Sequence, residues 1–77
     1  MSKHNEFPTR EQVERIRKQY PKGTRLELIA MDDPYSTLRA GDRGTVGFVD
    51  DAGQIGVAWD SGSQLSLIPN LDSFRKV

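Results

Sequence analysis

The chain reads as a mainly β domain: five short strands preceded by one short N-terminal α-helix. Three observations predict it. Between residues 43 and 68, β-branched and aromatic residues come in short runs separated by two polar turns, each with a glycine close to the next run. Within the middle run, Ile55, Val57 and Trp59 alternate with Gly56, Ala58 and Asp60, the period-2 pattern of a strand with one buried face. Ahead of these, Val13, Ile16 and Tyr20 recur at spacings of three and four, which puts them on one face of a helix.

Residues 1–8 are polar and predict a flexible tail. Residues 9–20 predict the helix. Thr9 and Gln12 have capping-box spacing, so the hydroxyl can accept from a free backbone N–H while the amide reaches back. Arg10/Glu14, Glu11/Arg15 and Glu14/Lys18 stand four apart on the other faces and each pair is expected to add a few tenths of a kcal/mol. Pro21 stops the helix, because it has no N–H and pushes Tyr20 out of the α region. About three turns are too few to hold alone, so the apolar stripe needs either the β domain or a second chain to dock on.

Residues 21–77 predict the β domain. The first strand covers 25–31, with Leu26, Leu28 and Ala30 on one side and Ile29 and Met31 on the other; apolar residues on both faces suit a strand with the interior on one side and the helix on the other. An irregular loop follows over 32–42. Thr45 to Val49 form the second strand and Ile55 to Trp59 the third. Leu65, Leu67 and Ile68 form the fourth, and Pro69 ends it. In the turns Asp50-Asp51-Ala52-Gly53 and Asp60-Ser61-Gly62-Ser63, glycine supplies positive φ and the leading Asp can bind the backbone two residues on. One helical turn at 70–73 leads to a short closing strand over 74–77. Alternation assigns Leu26, Leu28, Val46, Ile55, Val57, Leu65 and Leu67 to the interior. Five short strands, one long loop after the first, tight hairpins and a one-turn link before the last match the layout of a small SH3-like five-stranded barrel.

With 77 residues there is one domain, able to bury only about 60% of its unfolded surface. There is no cysteine, hence no disulfide framework, and no apolar run approaches the roughly 20 residues of a membrane span. A cytoplasmic protein that does not enter the membrane is expected. The net charge is zero but unevenly spread. Residues 1–25 hold seven basic against three acidic residues, residues 26–77 four against eight. Only the N-terminal segment is basic enough to meet a phosphate backbone.

The segments YPKGTRLELIAMDDPY, GTVGFVDDAGQIGVAWDSGS and LIPNLDSFRKV resemble the small bacterial domain-of-unknown-function family 4314. The resemblance runs from Tyr20 to Val77. It implies an SH3-like barrel found in bacteria and their phage or mobile elements, without an established activity, so no catalytic residues carry over.

Catalysis is not expected. His4 is the one histidine and lies in the tail, so no nucleophile–His arrangement can be built on a fixed scaffold. One His and no Cys argue against zinc, and the paired Asp residues of the turns lack a metal-loop spacing. No cofactor is expected. The aromatic residues are the candidates for binding. Trp59 is either core or stands at the mouth of the barrel beside Tyr35. Tyr35 and Leu38 either tuck under their loop or face a ligand. The expected site is a groove between the 32–42 loop and the 50–53 turn, walled by Tyr35 and Trp59 with Leu38 beside Tyr35 on the loop, and rimmed by Asp32, Asp33, Asp50 and Asp51, for a protein or peptide partner. The alternatives are nucleic-acid contact through Arg10, Arg15, Arg17 and Lys18, and an accessory protein of a mobile element that dimerises weakly through the helix. Otherwise a monomer is expected.

Overall fold

The computed structural model describes residues 8–31 and 35–77. Of the tail expected over residues 1–8, residues 1–7 lie outside these, and so do the loop residues Asp32 and Asp33.

The helix, α1, runs Arg10–Gln19. Thr9 caps it from extended backbone: its Oγ1 accepts the N–H of Gln12 at 3.2 Å, and Gln12 Oε1 accepts the N–H of Thr9 at 2.7 Å. Both halves of the capping box form. Glu11 in the first turn and Arg17 and Lys18 in the last complement the helix dipole. Tyr20 closes the helix, its N–H donating to the Ile16 carbonyl at 2.9 Å ahead of Pro21. Val13 is buried, and Ile16 and Tyr20 pack against the core. The apolar stripe therefore docks on the chain's own sheet.

Five strands form one antiparallel sheet: β1 (Arg25–Ala30), β2 (Arg43–Val49), β3 (Ile55–Trp59), β4 (Ser66–Leu67) and β5 (Ser73–Lys76). Their order is β4-β3-β2-β1-β5. β4 and β5 are the two edges and are not bonded to each other, so the sheet is open there and not a closed barrel by hydrogen bonding. A register shift in β1 between Leu28 and Ala30 and another in β2 between Val46 and Phe48 interrupt the ladders. Such bulges bend strands and sharpen their twist.

The bulge in β1 also changes the expected facing of that strand. Ile29 and Ala30 are both exposed, and Met31 is the residue that packs on the core. The helix does not lie on the outer side of β1; it packs against β2. That outer side carries charge instead. Arg25 makes a two-pronged bond to Asp60, at 2.8 and 2.6 Å, and reaches Thr45, its cross-strand neighbour, at 3.0 Å. Glu27 faces Arg43 on β2 and Arg75 on β5 and pairs with both, at 3.1 and 3.4 Å. Asp60 thus serves a cross-strand ion pair.

Leu26, Leu28, Val46, Ile55, Val57 and Leu67 are buried, as the alternation predicts. Leu65 is not: it is 36% exposed. β4 begins only at Ser66, so the period-2 pattern does not reach back to Leu65. Trp59 is 3% exposed and sits in the core, its Nε1–H donating to the Leu65 carbonyl at 2.9 Å. Leu38 leaves the loop to join the same cluster. Among the described residues no helix is long and apolar enough to cross a membrane.

Candidate functional site

A groove of about 590 Å³ opens where the helix, the β2–β3 turn and the link between β4 and β5 meet. Three local structures build it.

The first wall is one edge of α1. Gln12, Arg15, Ile16 and Gln19 line the groove, and their spacing of three, four and seven residues places them in one row along the helix. This row lies beside the docked stripe and shares Ile16 with it.

The floor is the β2–β3 turn, Ala52, Gly53 and Gln54. The Asp50 carboxylate organises it by accepting the N–H groups of Ala52 at 3.0 Å and Gln54 at 2.9 Å. Gly53 has φ of 81° and donates its N–H to the Asp50 carbonyl at 3.0 Å. The helix comes down on this glycine: Pro8, Ile16 and Val13 lie 3.0, 3.3 and 3.6 Å from where a Cβ would stand. Arg17 fixes the approach. It donates to the Val49 carbonyl at 3.2 Å, to Asp51 at 2.8 Å and to Glu14 at 2.8 Å. The hydrogen bond to Asp51 is the main cause that raises the Arg17 pKa above its already high ordinary value, so the guanidinium stays charged at every ordinary pH.

The second wall is the link Ile68–Leu71. The Ile68 carbonyl accepts the N–H groups of Leu71 and Asp72, both at 2.9 Å. The buried Asp72 carboxylate returns to accept the N–H of Ile68 at 2.8 Å. A single turn closed at both ends results, and it holds Ile68 (37% exposed) and Leu71 (58% exposed) toward the outside. The groove surface thus combines aliphatic Ile16, Ile68 and Leu71 with the amides of Gln12, Gln19, Gln54 and Asn70. Among the described residues Arg15 is the one charged side chain that lines it, and no carboxylate does.

None of the described residues expected for the peptide site (Tyr35, Leu38, Asp50, Asp51 and Trp59) lines this groove, while Arg15 of the nucleic-acid alternative does. Trp59 lies in the core, so it forms no open wall beside Tyr35, which is 91% exposed. Leu38 is buried under its loop. The 32–42 loop and the 50–53 turn join opposite ends of the seven-residue β2, roughly 20 Å apart along an extended strand. Asp50 and Asp51 are engaged, by the turn backbone and by Arg17. On the helix, Glu14 pairs with Arg17, three residues on, and not with Arg10 or Lys18. Among the described residues Arg10, Arg15 and Lys18 make no ion pair, and no cluster of three or more His, Cys, Asp or Glu could hold a metal ion.

Sequence reasoning passed over Gln12, Gln19, Gln54, Ile68, Asn70 and Leu71. One signal was present. Leu67 and Ile68 are consecutive apolar residues in a strand of period 2, so one of them has to face outward.

No curated protein and no solved structure matches the chain. The family model described as a domain of unknown function, DUF4314, matches residues 9–77. It takes in the capping Thr9 and the whole of α1 as well as the sheet, beginning ahead of the resemblance at Tyr20. Helix, turn and link, the two walls and the floor of the groove, all belong to the matched unit, and the chain is a member of the DUF4314 family.

Proposed function

We propose that the chain is a cytoplasmic, non-enzymatic interaction module that holds an extended segment of another protein in the groove between α1 and the Ile68–Leu71 link. One observation carries this reading. A turn locked by the buried Asp72 carboxylate keeps Ile68 and Leu71 exposed beside Ile16. Burying such side chains against a partner releases roughly 25 cal/mol per Å² of apolar surface.

The groove's form favours a peptide over a compact small molecule. Gln12 and Gln19 are exposed along its rim, whereas small-molecule sites enclose most of their ligand. From Gln12 to Gln19 the helical wall rises roughly 10 Å, the length of about three extended residues. The side-chain amides along it offer both donors and acceptors, which is what an extended backbone needs. The reading extends to the fold: the strand order, with a one-turn link before the last strand, fits an SH3-like barrel left open at one seam. Nucleic-acid contact through the helix is less favoured, because Arg17 is held by Asp51 and Glu14.

The test is capture from lysate of a bacterium that encodes the chain, with wild type and a folded Leu71→Lys variant compared side by side. Proteins retained by the wild type and lost by the variant support the groove. An identical captured set sinks it.

A further inference from the structure

We infer that the segment taken by the groove carries a carboxylate, Asp or Glu, within two positions of an aliphatic residue, and that Arg15 receives it. The inference rests on the proposed function and deepens it by naming the ligand's chemistry.

Charge complementarity is the argument. Among the described residues Arg15 is the one charged side chain lining the groove. Of the carboxylates around it, four are engaged elsewhere. Asp50 accepts the turn's N–H groups, and Asp51 and Glu14 both hold Arg17. Asp72 accepts the N–H of Ile68 from below. Glu11, one turn before Arg15, does not line the groove and among the described residues makes no ion pair with Arg15. Among the described residues the groove lining therefore presents positive charge and no carboxylate, and a ligand carboxylate is the complement.

Spacing sets the motif. Arg15 and Ile16 are adjacent in the helical wall, with Ile16 turned down toward Gly53 and Arg15 exposed at the rim. An aliphatic side chain lying between Ile16 and Leu71 brings a neighbouring acidic side chain to the guanidinium. A guanidinium is also the better cation for this task, because its planar fork matches a carboxylate.

The experiment is panning of a phage-displayed random peptide library on the full chain, followed by fluorescence anisotropy of the enriched peptides. Wild type, Leu71→Lys and Arg15→Glu are compared, each checked for folding by circular dichroism. The wild type is expected to enrich peptides with Asp or Glu beside Leu, Ile, Val or Pro. Replacing that acid by its amide should weaken binding about five-fold, as befits an exposed ion pair. Arg15→Glu should enrich Lys- or Arg-containing peptides in their place. Peptides that need Leu71 but show no acidic preference overturn this inference and leave the groove reading standing. The absence of any peptide that needs Leu71 overturns both. Three results assign the surface to another occupant and also overturn the inference. One is a self-association removed by Leu71→Lys, and another is peptide binding that appears only once residues 2–7 are deleted. The third is single-stranded oligonucleotide binding lost in Arg15→Glu but kept in Leu71→Lys.

Discussion

Ile16 of the helix lies 3.3 Å from the point where a side chain would begin at Gly53. This contact joins the two halves of the molecule, because the helix reaches the sheet through a turn that has no side chain to hold it off. Gly53 also has φ of 81°, a region where a Cβ costs roughly 1–2 kcal/mol by itself. Gly53→Ala is therefore expected to destabilise the domain by at least about 1–2 kcal/mol in urea unfolding. Amide exchange should speed up along α1 more than in β3. Unchanged protection of α1 would mean that the helix does not depend on this approach.

Val57 and Leu65 separate what alternation read correctly from what it did not. Val57 is buried in the middle of β3, while Leu65 precedes β4 and is 36% exposed. Val57→Ala should cost roughly 1–3 kcal/mol, a large part of what a small domain has. Leu65→Ala should cost less than about 1 kcal/mol, since its structural task is done by its carbonyl. Equal losses in thermal or urea melts would show that Leu65 is a core residue after all.

Much of the fold was legible because its signals are local. The capping box at Thr9 and Gln12, the stop at Pro21 and the Asp50–Gly53 turn each work within a few residues. Of the seven residues that period 2 assigned to the interior, all but Leu65 are buried. The bulge after Leu28 was not legible, since it arises from pairing with β5, more than forty residues away. The same holds for Asp60, which a local rule assigned to its turn and the structure gives to Arg25 on a distant strand. The groove was hidden for a related reason. Its walls come from three separate stretches, and its aliphatic residues look like ordinary strand and link residues until the turn locked by Asp72 shows them facing out.

Acid should weaken the fold through its outer sheet face. The hydrogen bond from Arg25 is the main cause holding Asp60 below the usual carboxylate range. For Glu27 desolvation is the largest influence and pushes upward, but the bonds from Arg43 and Arg75 together outweigh it and the net shift is downward. Both carboxylates thus bind protons more weakly in the folded chain than in the unfolded one. Their stabilisation is complete above the ordinary carboxylate range of about 4 and is lost as pH falls through their lower folded values. Urea midpoints should be flat above about pH 5 and drop below about pH 4. The double variant Glu27→Gln, Asp60→Asn should be less stable at neutral pH and show a shallower acid limb. An acid limb unchanged in the double variant would place the responsible carboxylates elsewhere.

The long loop carries two apolar residues with opposite fates, and substituting each in turn tells which one closes the core. Leu38 is buried among Trp59 and the strand residues, its N–H held by Ser36 Oγ at 3.1 Å, whereas Tyr35 is 91% exposed. Leu38→Ala removes packed aliphatic volume and should destabilise by roughly 2–3 kcal/mol, the lower end for a buried Leu. Tyr35→Ala removes little packed volume and should change stability by less than about 0.5 kcal/mol. Its effect on partner capture is the sharper reading. Tyr35 does not line the groove at α1, so a folded Tyr35→Ala variant should retain whatever wild type retains, while Leu71→Lys should not. Loss of capture in Tyr35→Ala with Leu71→Lys unaffected would move the binding surface from the helix groove to the loop.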